Sequence, residues 1–186
     1  MIICVTGTIA SGKGKVAELI RDKGFEHHSF SLEIRAVARE RGIEINRTNL
    51  SKLGEALKKE KNRSVLGERV VEKLKKHPEK NFIIDGMRDL EELRCLRDYE
   101  KESGVRVVLL AVDAPQELRF KRLQSRKRHG DPETFEEFRK IDDREFKGGH
   151  GQEVGAVMKK ADYAIDNSGT LEELEKQLDD IIMKER

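Results

Sequence analysis

One short stretch constrains this chain more than any other: Gly7-Thr8-Ile9-Ala10-Ser11-Gly12-Lys13, with the spacing glycine, four residues, glycine-lysine. It follows the apolar run Ile2-Ile3-Cys4-Val5 and precedes a segment with Val16, Leu19 and Ile20 on one helical face. Strand, loop and helix in that order are the context in which such a loop binds phosphate. A tight loop aims successive backbone N–H groups inward at anion oxygens, and glycine permits the dihedrals and the close approach. The helix that opens at Lys13 adds its positive dipole end, and the Lys13 ammonium reaches the outer phosphates. Gly7, Thr8, Ile9, Ala10, Ser11, Gly12 and Lys13, continued by Gly14 and Lys15, are therefore the expected nucleotide-binding residues. Gly14 stands where a Ser or Thr hydroxyl usually holds Mg²⁺. The ion is then expected to be held mainly by phosphates, water and a carboxylate.

Downstream, strand and helix patterns alternate. Strands are expected at 25–29, 82–84, 105–112 and 163–165, and helices at 13–23, 31–41, 48–60, 64–76, 89–104 and 115–125. Two further helices open on the capping pairs Thr134 with Glu137 and Thr170 with Glu173, as Asp89 with Glu92 does earlier. Residues 105–112 form an eight-residue apolar run broken only by Arg106, which suits a strand covered on both faces. Strands separated by helices predict an α/β chain with a parallel sheet and helices on both faces. The expected architecture is a three-layer P-loop NTPase fold with a five-stranded parallel sheet. It forms a single domain over 1–186, with a small lid segment at about 126–150 and acceptor-binding helices at about 31–76.

Charged residues make up 40% of the 186 positions, yet the 38 basic and 36 acidic residues leave a net charge of only +2. That balance gives no whole-molecule argument for nucleic acid or membrane binding. No apolar run approaches the roughly 20 residues that span a bilayer. No signal-peptide pattern is present. Cys4 and Cys95 read as buried free thiols. A cytoplasmic protein, monomeric or a small homo-oligomer, is expected. His27, His28, His77, His129 and His150 lack metal-ligand spacing, so no metal site made of protein ligands alone is expected.

In an open parallel sheet, ligands bind beyond the carboxyl ends of the strands. Those ends carry Gly7, Ser29, Asp85, Asp113 and Asn167. Asp85 follows three apolar residues and is the candidate to orient Mg²⁺, directly or through water, or to accept a proton from the acceptor. Asp113, before Ala114-Pro115, reads as a helix N-cap. Arg122 and Arg126 share a helix face and lead a basic cluster with Lys127, Arg128 and His129 that suits transition-state charge. Arg35 and Arg88 follow strand ends closely and suit an acceptor phosphate. Arg139 and Arg144 flank Asp142-Asp143, for lid function or ion pairing.

On these residues the chain resembles the P-loop kinases of the nucleoside-monophosphate kinase type over nearly its whole length. Gly12-Lys13-Gly14 is similar to the glycine-lysine-glycine-threonine of adenylate kinases, with Lys15 in place of the threonine. Asp85-Gly86-Met87-Arg88 resembles their strand-end aspartate-glycine motif and acceptor arginine, without the usual proline. The run from Val112 through Arg122 to Arg126 looks like the approach to their lid. That resemblance implies contacts of Arg122 and Arg126 with nucleotide base and phosphates. The stretch from Ala161 to Leu174 resembles dephospho-CoA kinases, which implies Asn167 beside the adenine of ATP. Those enzymes carry aspartates just after the second strand; this chain has Ser29-Phe30-Ser31, and Glu33 is its first acid there.

The expected chemistry is ATP- and Mg²⁺-dependent transfer of the terminal phosphoryl group to a small nucleotide-type acceptor. Lys13, Asp85, Arg122 and Arg126 are the expected catalytic residues. Dephospho-CoA is an alternative acceptor. A nucleotide-dependent ATPase or switch acting on protein or RNA is the alternative of another class, although no Asn-Lys-x-Asp or Thr-Lys-x-Asp stretch reads guanine. A nucleotide binder without turnover is a third.

Overall fold

A computed structural model describes residues 1–60, 64–126, 130–148 and 153–186. The chain runs β1 (Ile2–Gly7), α1 (Lys13–Asp22), β2 (Glu26–Ser29), α2 (Phe30–Glu40), α3 (Arg47–Glu60), α4 (Val65–Lys75) and β3 (Phe82–Asp85). It continues through α5 (Leu90–Ser103), β4 (Val107–Asp113), α6 (Gln116–Arg126), α7 (Phe135–Lys147), α8 (Val154–Met158), β5 (Tyr163–Asp166) and α9 (Leu171–Glu185). The strands form one parallel sheet in the order β2-β3-β1-β4-β5.

Side chains alternate across a strand, so each strand feeds two cores. Ile3, Val5, Ile83, Val108 and Leu110 pack against Val16 and Ile20 of α1 and Leu174, Leu178 and Ile182 of α9. Ile2, Cys4, Phe82, Ile84, Val107 and Leu109 face the other way, onto Val70 and Leu74 of α4, Leu93 and Leu96 of α5 and Val157 of α8. That two-sided demand is why the central strands read as continuous apolar runs rather than alternating ones. A separate cluster of Val37, Ala38, Leu53 and Leu57 joins α2 to α3.

The helix caps match their residues. Thr134 and Thr170 form full capping boxes with Glu137 and Glu173. Asp89 caps α5 but not as the expected capping box: its side chain accepts the Glu91 N–H at 2.7 Å rather than that of Glu92, and Glu92 accepts the Arg88 N–H at 2.9 Å. Three further features differ from the sequence expectation. α8 is a five-residue helix in a stretch that carries no usable periodicity, and its Val154 and Val157 are buried. Gly155 permits its approach, because a Cβ there would lie 2.5 Å from the Phe146 carbonyl. Cys95 is half-buried rather than buried, while Cys4 is fully enclosed. Asp113 is not a helix cap, for reasons given below.

The strand order has a geometric consequence. From β1 the chain leaves toward the β2 edge, whereas from β3 it crosses to β4 on the other side of β1. The two connections diverge, so a crevice opens beyond the carboxyl ends of β1 and β3.

Candidate phosphate-binding site

β1 delivers its last residue, Gly7, into that crevice. Gly7 has φ +151°, and a Cβ there would lie 2.1 Å from the Val112 carbonyl of the neighbouring strand. Gly12 has φ +100°, and its Cβ would lie 1.9 Å from Asn167 Nδ2. Between them Ala10 adopts φ 58°, a left-handed conformation that costs a non-glycine residue roughly 1–2 kcal/mol. Such strain is retained where the surrounding structure over-determines it. The N–H groups of Ser11, Lys15 and Val16 bond within the turn, to Thr8, Gly12 and Gly12. Those of Gly12, Lys13 and Gly14 take no backbone carbonyl among the described residues, so a row of donors opens at the N-terminus of α1.

Lys13 folds back over the loop, its Nζ donating to the carbonyls of Gly7 at 2.9 Å and Thr8 at 2.6 Å. Burial depresses its pKa to about 8, helped by the Arg88 and Arg119 cations and opposed by Glu145 and Asp85. Asp85 ends β3, with His27 Nε2 of β2 3.5 Å from its Oδ1. Thr6 Oγ1 donates to the Met87 carbonyl at 2.9 Å, which stitches the Asp85–Arg88 turn to β1.

The loop is braced from two further sides. Asn167, at the end of β5, donates from Nδ2 to the Ser11 carbonyl at 2.7 Å, and its own carbonyl accepts Arg122 Nη2 at 2.8 Å. Asp113 accepts the Thr8 hydroxyl at 2.6 Å and lies 3.7 Å from Arg119 Nε. The Asp113 carboxylate therefore serves the loop rather than capping α6. Arg119 is the residue that sequence reading missed. Its side chain is buried, with Nε on the Ala114 carbonyl at 2.8 Å and Nη1 on the Ile9 carbonyl at 3.0 Å. It also forms a two-pronged ion pair with the equally buried Asp142 of α7, at 2.5 and 2.7 Å. The signal in the sequence is the stripe Arg119, Arg122, Arg126 at helical spacing, whose first member lies deepest of the three.

The remaining candidates separate. Arg88 sits beside the crevice, its Nη1 4.0 Å from Glu145 Oε2. Arg35 lies half-buried on α2. Arg126 pairs with Asp131 at 2.7 and 2.8 Å, and Lys15 pairs with Glu18 along the exposed face of α1 at 2.9 Å. Glu33 is buried and held by Arg69 at 3.4 Å and by Lys73. Of the α7 residues, Asp142 thus goes to Arg119, and Asp143 lies 3.8 Å from Lys147. Lys127, Arg128, His129 and His150 lie outside the described residues.

Three buried side-chain atoms among the described residues lack any hydrogen-bond partner: Ser11 Oγ, Asp85 Oδ1 and Arg122 Nη1. All belong to residues of this site. No group of three or more His, Cys, Asp or Glu side chains able to hold a metal occurs among the described residues. A magnesium ion carried on phosphates would fit this donor set, with Asp85 as the protein carboxylate.

A parallel sheet in this order, with a glycine loop and lysine at its first strand end, defines a P-loop protein of kinase-like fold. Residues 6–139 match the model of a P-loop family described as AAA domain, and the chain belongs to that family and, within the known proteins, to the UPF0200 proteins. The UPF0200 protein of Thermococcus gammatolerans is 33% identical over 99% of this chain and 95% of its own length. That of Hyperthermus butylicus is 35% identical over 94% and 89%. Among solved structures, a Thermus thermophilus protein superposes with a TM-score of 0.65 at 22% identity, covering 99% and 97% of the two chains. Shikimate kinase from Aquifex aeolicus gives 0.56 at 17% identity over the same shares. Similarity at that level concerns the fold. No helix among the described residues is long and apolar enough to cross a membrane.

Proposed function

We propose that this protein is an ATP-dependent phosphotransferase that moves the γ-phosphoryl group to a small nucleotide-type acceptor, in the manner of a nucleoside-monophosphate kinase. The observation that carries the reading is the convergence of unsatisfied groups. Buried polar atoms nearly always make hydrogen bonds, yet among the described residues Ser11 Oγ, Asp85 Oδ1 and Arg122 Nη1 make none, with His27 Nε2 only an ion-pair contact at 3.5 Å from Asp85 Oδ1. Each faces a demand that a bound nucleotide with its metal would meet.

The N–H row of Gly12, Lys13 and Gly14 binds phosphate oxygens. Lys13 leaves the loop carbonyls for the transferred group and neutralises charge as the bond to the leaving oxygen lengthens. Arg122, anchored through Nη2 on Asn167, keeps Nη1 for a donor phosphate. A bound magnesium ion would supply charge neutralisation for the phosphates, and Asp85 would hold it directly or through water. Arg88 and Arg35 hold the acceptor. The segment at about 126–150 shields the reaction from water, so that transfer outruns hydrolysis. Kinase-like structural neighbours, including one described as a sugar kinase, support a small-molecule acceptor. A cytoplasmic location and a monomer or small homo-oligomer accord with this reading.

The test is ADP formation from Mg-ATP with a panel of nucleoside monophosphates, deoxynucleoside monophosphates and dephospho-CoA, against a blank without acceptor. Strong stimulation by one acceptor supports the proposal and names the substrate class. Slow ADP release that no acceptor changes, or full turnover by Lys13→Ala, overturns it.

A further inference from the structure

An anion-binding loop must turn its carbonyls aside, and here most of them are held by donors. Those of Gly7 and Thr8 take Lys13 Nζ, that of Ser11 takes Asn167 Nδ2, and that of Gly12 takes the Lys15 and Val16 N–H groups. The Ile9 carbonyl takes Arg119 Nη1 at 3.0 Å and, among the described residues, no other donor. The C=O and N–H of one planar peptide point opposite ways. Holding the Ile9 carbonyl therefore turns the Ala10 N–H away from Arg119, and that N–H takes no backbone carbonyl among the described residues. The peptide does not rest in this orientation unaided, because Ala10 sits at φ 58°. Half a turn of the Ile9–Ala10 peptide would bring Ala10 to negative φ, where a side chain is at ease. The same flip would put a carbonyl oxygen where the N–H had pointed, against a phosphate.

We propose that Arg119 is a positioning residue for the nucleotide: it clamps the Ile9–Ala10 peptide in the strained orientation that offers phosphate an N–H instead of a carbonyl. The inference rests on the reading of the loop as a nucleotide site and needs nothing of the acceptor. Arg119 is itself unable to follow a flip. Its Nε donates to the Ala114 carbonyl at 2.8 Å, and its two terminal nitrogens grip Asp142 of α7 at 2.5 and 2.7 Å, with both side chains buried. Asp142 is held in turn by Gln116 Nε2 at 2.9 Å. The clamp is therefore anchored on α6 and α7, and strain at Ala10 persists because its surroundings over-determine it.

The experiment measures ADP affinity by calorimetry in two backgrounds, wild type and Ala10→Gly. Glycine is at ease at positive φ, so in the second background nothing drives the flip. Into each goes the pair Arg119→Gln/Asp142→Asn, which removes both buried charges together and so avoids leaving one uncompensated. Arg119→Lys, which keeps the charge opposite Asp142 but loses the guanidinium fork, is the second change and carries the test should the pair fail to fold. In the wild-type background each is expected to weaken ADP binding about tenfold, the factor that matches the strain of one left-handed residue. In the Ala10→Gly background the loss should shrink to within about threefold, a coupling that a merely structural role would not produce. No loss in the wild-type background, or an equal loss in both, overturns the inference while leaving the nucleotide site intact. Absence of ADP binding by the wild type overturns the nucleotide reading, and this inference with it.

Discussion

Asn167 reaches from the end of β5 onto the phosphate loop, its Nδ2 2.7 Å from the Ser11 carbonyl across 156 positions of sequence. β4 lies between β5 and β1 in the sheet, so the contact closes over the strand ends rather than along a ladder. It also fills the space beside Gly12, where a Cβ would stand 1.9 Å from the amide nitrogen.

That closeness gives the first prediction. Gly12→Ala meets both a positive φ and the Asn167 amide, so ADP affinity should fall at least about tenfold. Asn167→Ala leaves Gly12 its space and loses one hydrogen bond, so its effect should be smaller. Calorimetric titration with ADP separates the two. Wild-type affinity in Gly12→Ala would contradict the geometry.

The second prediction concerns pH. The Lys13 pKa is lowered in the fold from 10.5 to about 8, chiefly by burial, so the group loses its proton as pH rises through about 8. Phosphate binding needs the ammonium, and ADP affinity should decline above pH 8 by up to about tenfold per pH unit. Lys13→Ala should bind more weakly at pH 7 and show no such decline. Stability has the opposite sign. The charged lysine burdens the fold below pH 8, and that burden is relieved as pH rises toward 10.5.

Asp85 should separate stability from activity. Its Oδ1 is buried without a hydrogen-bond partner, with His27 Nε2 3.5 Å away, so under the proposed function the carboxylate is kept for a ligand. Asp85→Asn should cut turnover by about 100-fold or more while leaving the melting temperature unchanged or raised. A large drop in melting temperature would assign the carboxylate to the fold.

The Arg119–Asp142 pair should behave in reverse. Removing one partner of a buried pair leaves a charge without compensation and costs about 3–5 kcal/mol. For Asp142→Ala that corresponds to a fall of about 10 °C in a chain of this size, read from a thermal melt. A shift under about 2 °C would mean that water or another group takes over Asp142's role.

Gly14 offers a gain. A Cβ there meets nothing within 4 Å, so Gly14→Ser should fold normally and return a hydroxyl to the start of α1. Turnover should then saturate at lower Mg²⁺, and an unchanged magnesium dependence would place the ion elsewhere.

Much of this was legible in the sequence because it is local. Gly7, Gly12 and Lys13 declare themselves by spacing, Thr134 and Thr170 by the glutamates three residues on, and the central strands by unbroken apolar runs. Asp85 and Asn167 were found as strand ends. Their partners were hidden: nothing in the chain links Asn167 to Ser11 or Asp113 to Thr8. Arg119 looked like one more charged residue on a charged helix, and α8 is too short to show a period.

The sequence by itself therefore determined the elements, their alternation and the phosphate loop, since backbone dihedrals, caps and the period of apolar residues are set by near neighbours. Only the tertiary structure decided the order β2-β3-β1-β4-β5, the burial of Arg119 against Asp142, and the meeting of Lys13, Asp85, Arg88 and Glu145 at one crevice. Those depend on which distant surfaces are removed from water together. Burial turns an ordinary charge into a paired, displaced or waiting one, and it belongs to the whole fold rather than to any segment.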